Sequence, residues 1–316
     1  MEKNTYITLC NGQKIPSLAL GTGQATGEKL RIALRAAIKC GYRHIDTAYM
    51  YQNETEIGQT LRELINEGAV KREDLFITTK LWSTFNQPGK VEDAFMLSLK
   101  ALQLDYIDLY LMHGPAAIKY IDDQTLMPPA EDGGPGLALE DVHYIDTWKA
   151  MEPLVEKGLA KSIGVSNVNL QQLGEILRIA KVPCVNNQIE NHPYLDQNGL
   201  IKFSKENNVS ITAFAPLGSP ERPWAPENDK NLRDDPVVKK IADSRKCTPV
   251  QILIAYNLSQ GLVCTPKSTC VERIEENFKS LDVKLTTDEI NQLEGLACNF
   301  RGFSWDFMTK HKHYPF

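Results

Sequence analysis

Leu30-Arg-Ile-Ala-Leu-Arg-Ala-Ala-Ile-Lys-Cys-Gly-Tyr-Arg-His-Ile-Asp46 carries apolar residues at 30, 33, 34, 37 and 38, the spacing of one helical face, and then runs into a short strand ending near Asp46. The same unit recurs outward from it. Ile57, Leu61, Leu64 and Ile65 form a second face, and Val91, Ala94, Phe95, Leu99 and Leu102 a third. Strands are predicted to end near Thr22, Asp46, Lys80, His113, Asn167, Gln188, Pro216 and Lys267, each followed by a loop and a helical pattern. Eight such units predict an α/β fold of the (β/α)8 TIM-barrel type, with a doubly wound parallel sheet as the alternative.

Ahead of the repeat, Tyr6 to Leu9 and Gln13 to Leu18 flank Asn11-Gly12, so the chain is expected to open with a β-hairpin. Two intervals between strand ends are longer than the rest. One holds Gly114 to Glu140, rich in Pro, Gly and Asp, and the other Gly218 to Asp235, with Pro220, Pro223, Trp224 and Pro226. Both follow the C-terminal ends of strands, where barrel enzymes build their sites, so both are expected to be lids or pocket walls. No composition break, repeat period or low-complexity tract divides the chain, and a single domain over residues 1–316 is expected.

Composition narrows the function classes. Hydrophobic residues at 42% and charged residues at 24%, with no apolar run near ~20 residues, fit a globular protein without a membrane span. Thirty-five Lys+Arg against 40 Asp+Glu, with no basic run, argue against a nucleic-acid partner. Seven cysteines without a CxxC spacing fit reduced thiols, and MEKNTYITLC lacks the apolar core of a signal peptide. A cytoplasmic protein is expected.

Asp46, Tyr51, Lys80 and His113 stand at or just past the ends of consecutive predicted strands, and a barrel would bring them to one mouth. Asp46 would keep a buried Lys80 charged, and that cation is expected to lower the pKa of Tyr51 from ~10 and make it a general acid. A neutral His113 could donate a hydrogen bond to a substrate carbonyl. Taken singly these are an ion pair, a packing tyrosine and a core histidine. Taken together they suit reduction of a carbonyl. A metal-dependent hydrolase would need ligands at several strand ends; His44, two residues before Asp46, is expected to point to the opposite side of the strand, leaving only His113. No metal site is expected. Gly21-Thr22-Gly23 is no dinucleotide fingerprint, because Gly27 comes one residue late for GxGxxG.

The segments Gly41-Tyr-Arg-His-Ile-Asp-Thr-Ala-Tyr-Met-Tyr-Gln-Asn-Glu-Thr-Glu-Ile-Gly58, Ile163-Gly-Val-Ser-Asn167, Asn187-Gln-Ile-Glu-Asn-His-Pro-Tyr194, Pro216-Leu-Gly-Ser-Pro220 and Thr265-Pro-Lys-Ser268 resemble, in order, the aldo-keto reductase superfamily. Gly218-Ser-Pro-Glu-Arg-Pro-Trp224 and Tyr314-Pro-Phe316 are most similar to its monomeric aldose/aldehyde reductase branch. The resemblance implies NADPH-dependent reduction of aldehydes and ketones, with Tyr51 as acid, Lys80 and Asp46 tuning it and His113 orienting the carbonyl. It also implies that Ser166, Asn167 and Gln188 hold the nicotinamide carboxamide, and that Phe214, where most relatives have Tyr, stacks on the ring. Ala215, Leu217 and Ser219 would lie over the pyrophosphate; Lys267, Ser268, Arg273 and Asn277 would take the adenosine 2′-phosphate, and Glu276 the adenine. Gly21, Thr22 and Asp46 are counted with these cofactor residues.

On the substrate side the resemblance points to Trp82, Trp224 and Trp305, with Phe300, Phe303 and Phe307 on the closing C-terminal segment; Trp148, beside Ile145 and Met151, reads as core. Gly114 and Gly23 stand where this branch usually has Trp. Their indoles are missing, so a widened pocket for steroid-like or long-chain ketones is expected unless the Gly114 to Glu140 loop refills it. The alternative to an enzyme is an NADPH-binding barrel recruited to a structural or regulatory role.

Overall fold

The structure, a computed structural model, describes residues 4–131, 133–134, 136–227 and 229–316. Met1–Lys3, which open the stretch that argues against a signal peptide, and Asp132, Pro135 and Asn228, within the two long loops, lie outside the described residues.

An antiparallel hairpin comes first, β1 (Tyr6–Thr8) and β2 (Lys14–Pro16), with Ile7 opposite Ile15. Gly12 at φ +85° makes the turn, which spans the five residues between the strands. Eight parallel strands follow in sequence order: β3 (Ala19–Gly21), β4 (His44–Asp46), β5 (Phe76–Leu81), β6 (Leu109–Met112), β7 (Ile163–Ser166), β8 (Cys184–Glu190), β9 (Ser210–Phe214) and β10 (Val263–Thr265). Every one ends within two residues of its predicted end. Bridges Leu18 to Cys264 and Gly21 to Lys267 join the last strand to the first, so the sheet closes into the (β/α)8 barrel. Leu18 therefore belongs to the barrel rather than to the hairpin.

The helices form the outer layer: α1 (Gly27–Cys40), α2 (Glu54–Asn66), α3 (Val91–Leu102), α4 (Tyr144–Glu156), α5 (Leu170–Ile179), α6 (Asn198–Glu206), α7 (Pro236–Arg245), α8 (Pro249–Ser259), α9 (Val271–Phe278) and α10 (Thr287–Glu294). In α1 the buried residues are the predicted face, Leu30, Ala33, Leu34, Ala37 and Ile38. Each fully buried Leu or Ile there stabilises by roughly 1.5–3 kcal/mol over an exposed one. Gly41 ends the helix at φ +119°, and a Cβ there would come within 2.7 Å of the Phe278 ring, so both backbone and space demand glycine. Trp148 is fully buried, as its helical face predicts.

Leu9 and Ile15 of the hairpin pack with Phe76, Leu109, Leu111, Val185 and Val263, which plugs the N-terminal end of the barrel with apolar side chains. The opposite, C-terminal mouth is left to polar groups and the long loops. Among the described residues no helix is long and apolar enough to cross a membrane.

Candidate active site

Strand ends bring the four predicted residues together. Asp46 ends β4; Tyr51 closes a single 3-10 turn just after it; Lys80 lies in β5 and His113 follows β6. The Lys80 Nζ donates to Asp46 Oδ1 at 2.6 Å and to the Thr47 carbonyl at 2.7 Å, while Gln188 Nε2 donates to Asp46 Oδ2 at 2.6 Å. Lys80 is wholly buried. Its Nζ sits 5.1 Å from the centroid of the Tyr51 ring, and the Tyr51 and His113 rings meet edge-on at 5.9 Å.

Burial opposes the charge on Lys80, but Asp46 and Tyr51 overcome it and raise its pKa, so it stays protonated. Burial also pushes the Tyr51 phenol up from its usual range, against the pull of Lys80. This corrects the expectation of a lowered Tyr51: desolvation outweighs the neighbouring cation, and the phenol holds its proton at neutral pH. His113 is driven well below the usual imidazole range by burial and by Lys80, so it is neutral, and its Nδ1 is buried without a partner.

His44 departs from expectation. Residues two apart on a strand share a face, so it lies on the same side as Asp46, one layer deeper, with Nε2 2.9 Å from Thr78 Oγ1 and Nδ1 3.2 Å from the Pro16 carbonyl. Burial lowers its pKa to about 4. It is a hydrogen-bonded core histidine.

A cavity of about 960 Å³ opens over these residues. One half is walled by Trp82, Trp224 and Trp305, the predicted substrate-side indoles, with Met50, Met127, Phe303 and Phe307. Phe300 is not part of it and packs on Tyr194 and under Arg222. Gly114 does not line the cavity either. The Trp305 ring lies over it, 5.8 Å from His113 and 6.0 Å from Trp82, centroid to centroid, and a Cβ on Gly114 would lie 2.6 Å from Trp305 Cζ3. The widening expected at Gly114 is thus absent, refilled by the C-terminal segment rather than by the Gly114 to Glu140 loop. At Gly23, which does line the cavity, the atoms nearest to a Cβ would be those of the Tyr51 ring, from 3.7 Å, an ordinary contact distance with none of the crowding found at Gly114.

Gly114→Ala is expected to lower stability by about 1–3 kcal/mol through overpacking, and Trp305→Ala in the same chain to remove most of that cost. Urea unfolding of both single variants and the double variant checks this; additive losses would mean that the two side chains do not compete for one space.

The other half of the cavity is lined by the predicted cofactor residues Gly21, Thr22, Ser166, Asn167, Gln188, Phe214, Ala215, Leu217, Ser219, Lys267, Ser268, Arg273, Glu276 and Asn277. Thr22 Oγ1 donates to the Asp46 carbonyl and Ser166 Oγ to the Gln188 carbonyl, each at 2.9 Å. Asn167, Ala215 and Ser219 hold left-handed backbone at φ +56°, +49° and +46°, strain that functional loops retain. Asn167 Nδ2 is spent on the His113 carbonyl at 2.9 Å, which leaves Asn167 Oδ1 buried without a partner; Asn277 Oδ1 is likewise unpartnered. Such acceptors fit an amide or hydroxyl donor, and the cations Lys267 and Arg273 beside Ser268 fit a phosphate, so the residues present suit a phosphorylated nicotinamide dinucleotide.

The lining residues Met50 and Met127 escaped the sequence reading, as did two buried residues behind the cavity wall. Asn53, buried, donates to the Thr22 and Ala25 carbonyls at 2.8 and 2.9 Å and accepts from Thr47 Oγ1, holding the loop after β3 against the segment that carries Tyr51. Glu190, at the end of β8, accepts from the Gly302 amide at 2.7 Å and the Phe303 amide at 2.9 Å. Its place two residues beyond Gln188, on the same strand face, was the available signal.

Comparison with known proteins agrees with this geometry. The sequence pattern of the Aldo/keto reductase family matches residues 17–297. The chain is 42% identical over 320 residues to aldo-keto reductase family 1 member A1-A of Danio rerio, covering 98% of each chain. It is 43% identical to aldo-keto reductase family 1 member A1 of Gallus gallus, over 94% of this chain and 90% of that one. The solved aldose reductase of Schistosoma japonicum superposes with a TM-score of 0.91 at 39% identity, over 99% of this chain and 98% of that one.

Proposed function

The chain belongs to the aldo/keto reductase family, oxidoreductases that act on carbonyl groups with a nicotinamide cofactor, and from that membership we propose that it reduces aldehydes and ketones to alcohols with NADPH, as a cytoplasmic, monomeric, single-domain enzyme. The observation that carries the reading is the buried Lys80–Asp46 pair set beneath Tyr51, with a neutral His113 edge-on to the same ring.

When bound, the reduced nicotinamide supplies the hydride. The protein's own groups do the rest. Tyr51, whose phenol burial keeps protonated, gives its proton to the carbonyl oxygen. Lys80, charged because Asp46 and the Thr47 carbonyl hold it, stabilises the phenolate left behind. His113 donates a hydrogen bond that orients the carbonyl and adds no competing charge. Asn167, with its free Oδ1, Ser166 and Gln188 would hold the carboxamide, and Phe214 would lie against the ring. Lys267, Ser268 and Arg273 favour the phosphorylated dinucleotide, with Glu276 and Asn277 at the adenosine end. The cavity is mostly apolar on its other side, where Gly23 lines it and Gly114 does not. A ring-bearing or long-chain ketone is therefore taken with its bulk on that side and not over Gly114.

The test is NADPH oxidation by the purified protein with an uncharged aromatic aldehyde and with a bulky cyclic ketone, followed across pH. Turnover is expected to be level between about pH 6.5 and 9 and to fall as pH rises through the raised Tyr51 pKa, since the acid form is the active one. No step is expected near ~6.5, because His113 is already neutral there. A rate that falls as pH rises through ~6.5 would contradict the role given to Tyr51, and one that falls as pH drops through it the role given to His113. Tight NADPH binding without reduction of either compound would favour the recruited barrel.

A further inference from the structure

Glu190 is a buried carboxylate that the proposed chemistry does not use. Only 1% of it is exposed, yet both oxygens are engaged, and by backbone from a distant part of the chain. Oε1 accepts from the Gly302 amide and lies 3.0 Å from His192 Nε2; Oε2 accepts from the Phe303 amide. The same Gly302 offers its carbonyl to Trp224 Nε1 at 2.9 Å, so one residue of the C-terminal segment is gripped on both sides. A Cβ on Gly302 would stand 3.2 Å from Glu190 Oε1 and 3.5 Å from Arg222 Nε, so the grip also fits closely.

Directly after this grip come the residues that shape the substrate half of the cavity. Phe303 meets the Phe214 and Trp224 rings edge-on, each at 5.4 Å, and Trp305 covers Gly114 from a left-handed backbone at φ +55°. A bulky residue at positive φ is costly by itself and persists only where its surroundings enforce it. The Glu190 contacts are the buried, hydrogen-bonded part of that enforcement.

We propose that Glu190 is a positioning residue that latches the C-terminal segment to the barrel and so sets where Trp305 stands and which carbonyl compounds fit; this rests on the reductase reading above. Glu190→Gln keeps the volume but turns one acceptor oxygen into an amide NH2 donor facing a backbone N–H, which undoes the two-amide grip.

In that variant the Gly302 and Phe303 amides should exchange hydrogen at least about tenfold faster than in the wild type, with the barrel strands unchanged. KM for an uncharged aromatic aldehyde should rise about tenfold while kcat and NADPH affinity, read by fluorescence titration, stay within about twofold. The preference for a bulky ketone over the small aldehyde should rise as the Trp305 wall loosens. Gly302→Ala, which presses on the latch from the other side, should give the same pattern in a milder form. Unchanged exchange at the two amides would overturn the proposal, as would a loss of NADPH affinity in step with KM. If the wild type reduces no carbonyl compound, the reductase reading fails, while the exchange measurement still decides whether the latch exists.

Discussion

Tyr51→Phe should lower kcat by about 10³-fold, within the 10²- to 10⁴-fold that a placed general acid contributes, and leave NADPH affinity unchanged. The change removes one hydroxyl and keeps the ring, so the edge-on contact with His113 at 5.9 Å survives and the cavity wall keeps its shape. Only the proton donor is lost. His113 cannot substitute for it, since burial and the Lys80 charge hold it neutral and Lys80 itself is committed to Asp46 and the Thr47 carbonyl. Single-turnover rates with saturating NADPH check this, because they isolate the chemical step from product release. A loss smaller than tenfold would mean that another group delivers the proton.

Lys80→Met should destabilise the fold by roughly 3–5 kcal/mol and abolish turnover as well. The side chains of Lys80 and Asp46 are 0% and 4% exposed, and their contact is 2.6 Å. Removing the cation leaves Asp46 with Gln188 Nε2 as its remaining side-chain donor, on a side chain that is only 4% exposed. Restoring neutrality with Asp46→Asn in the same chain should recover a good part of the stability and none of the activity. Denaturant unfolding of the wild type, the single variant and the double variant measures both effects. A Lys80→Met protein within 1 kcal/mol of the wild type would show that water reaches the pair and that the site is wetter than its burial implies.

How far the sequence could be read depended on the range of the interaction. Strand ends were legible to within two residues, since each needs only a local apolar pattern and the loop behind it, and the face of α1 could be named residue by residue. Asp46, Tyr51, Lys80 and His113 were legible as a group once a barrel was assumed, because the topology alone converges strand ends. What could not be read were outcomes of competition in space. Whether Tyr51 rises or falls depends on burial against the pull of Lys80, and no spacing encodes the amount of burial. Whether the room beside Gly114 stays open depends on where an aperiodic segment lays Trp305. His44 is a different matter: period two puts it on the same face as Asp46, and what distinguishes it is depth, where Thr78 and Pro16 satisfy it.

Closure of the barrel at Leu18, Gly21, Cys264 and Lys267 reaches beyond the site. A ladder that returns to its own first rung has no outermost rung, so its eight strands present no row of spare amides and carbonyls to a neighbouring molecule. The hairpin is the exception, and its strands are three residues long, too short to recruit a stranger's backbone firmly. Self-association of the native protein at high concentration is therefore left to side chains and to the net charge of -5, and should respond to salt and pH rather than to anything that competes for backbone pairing.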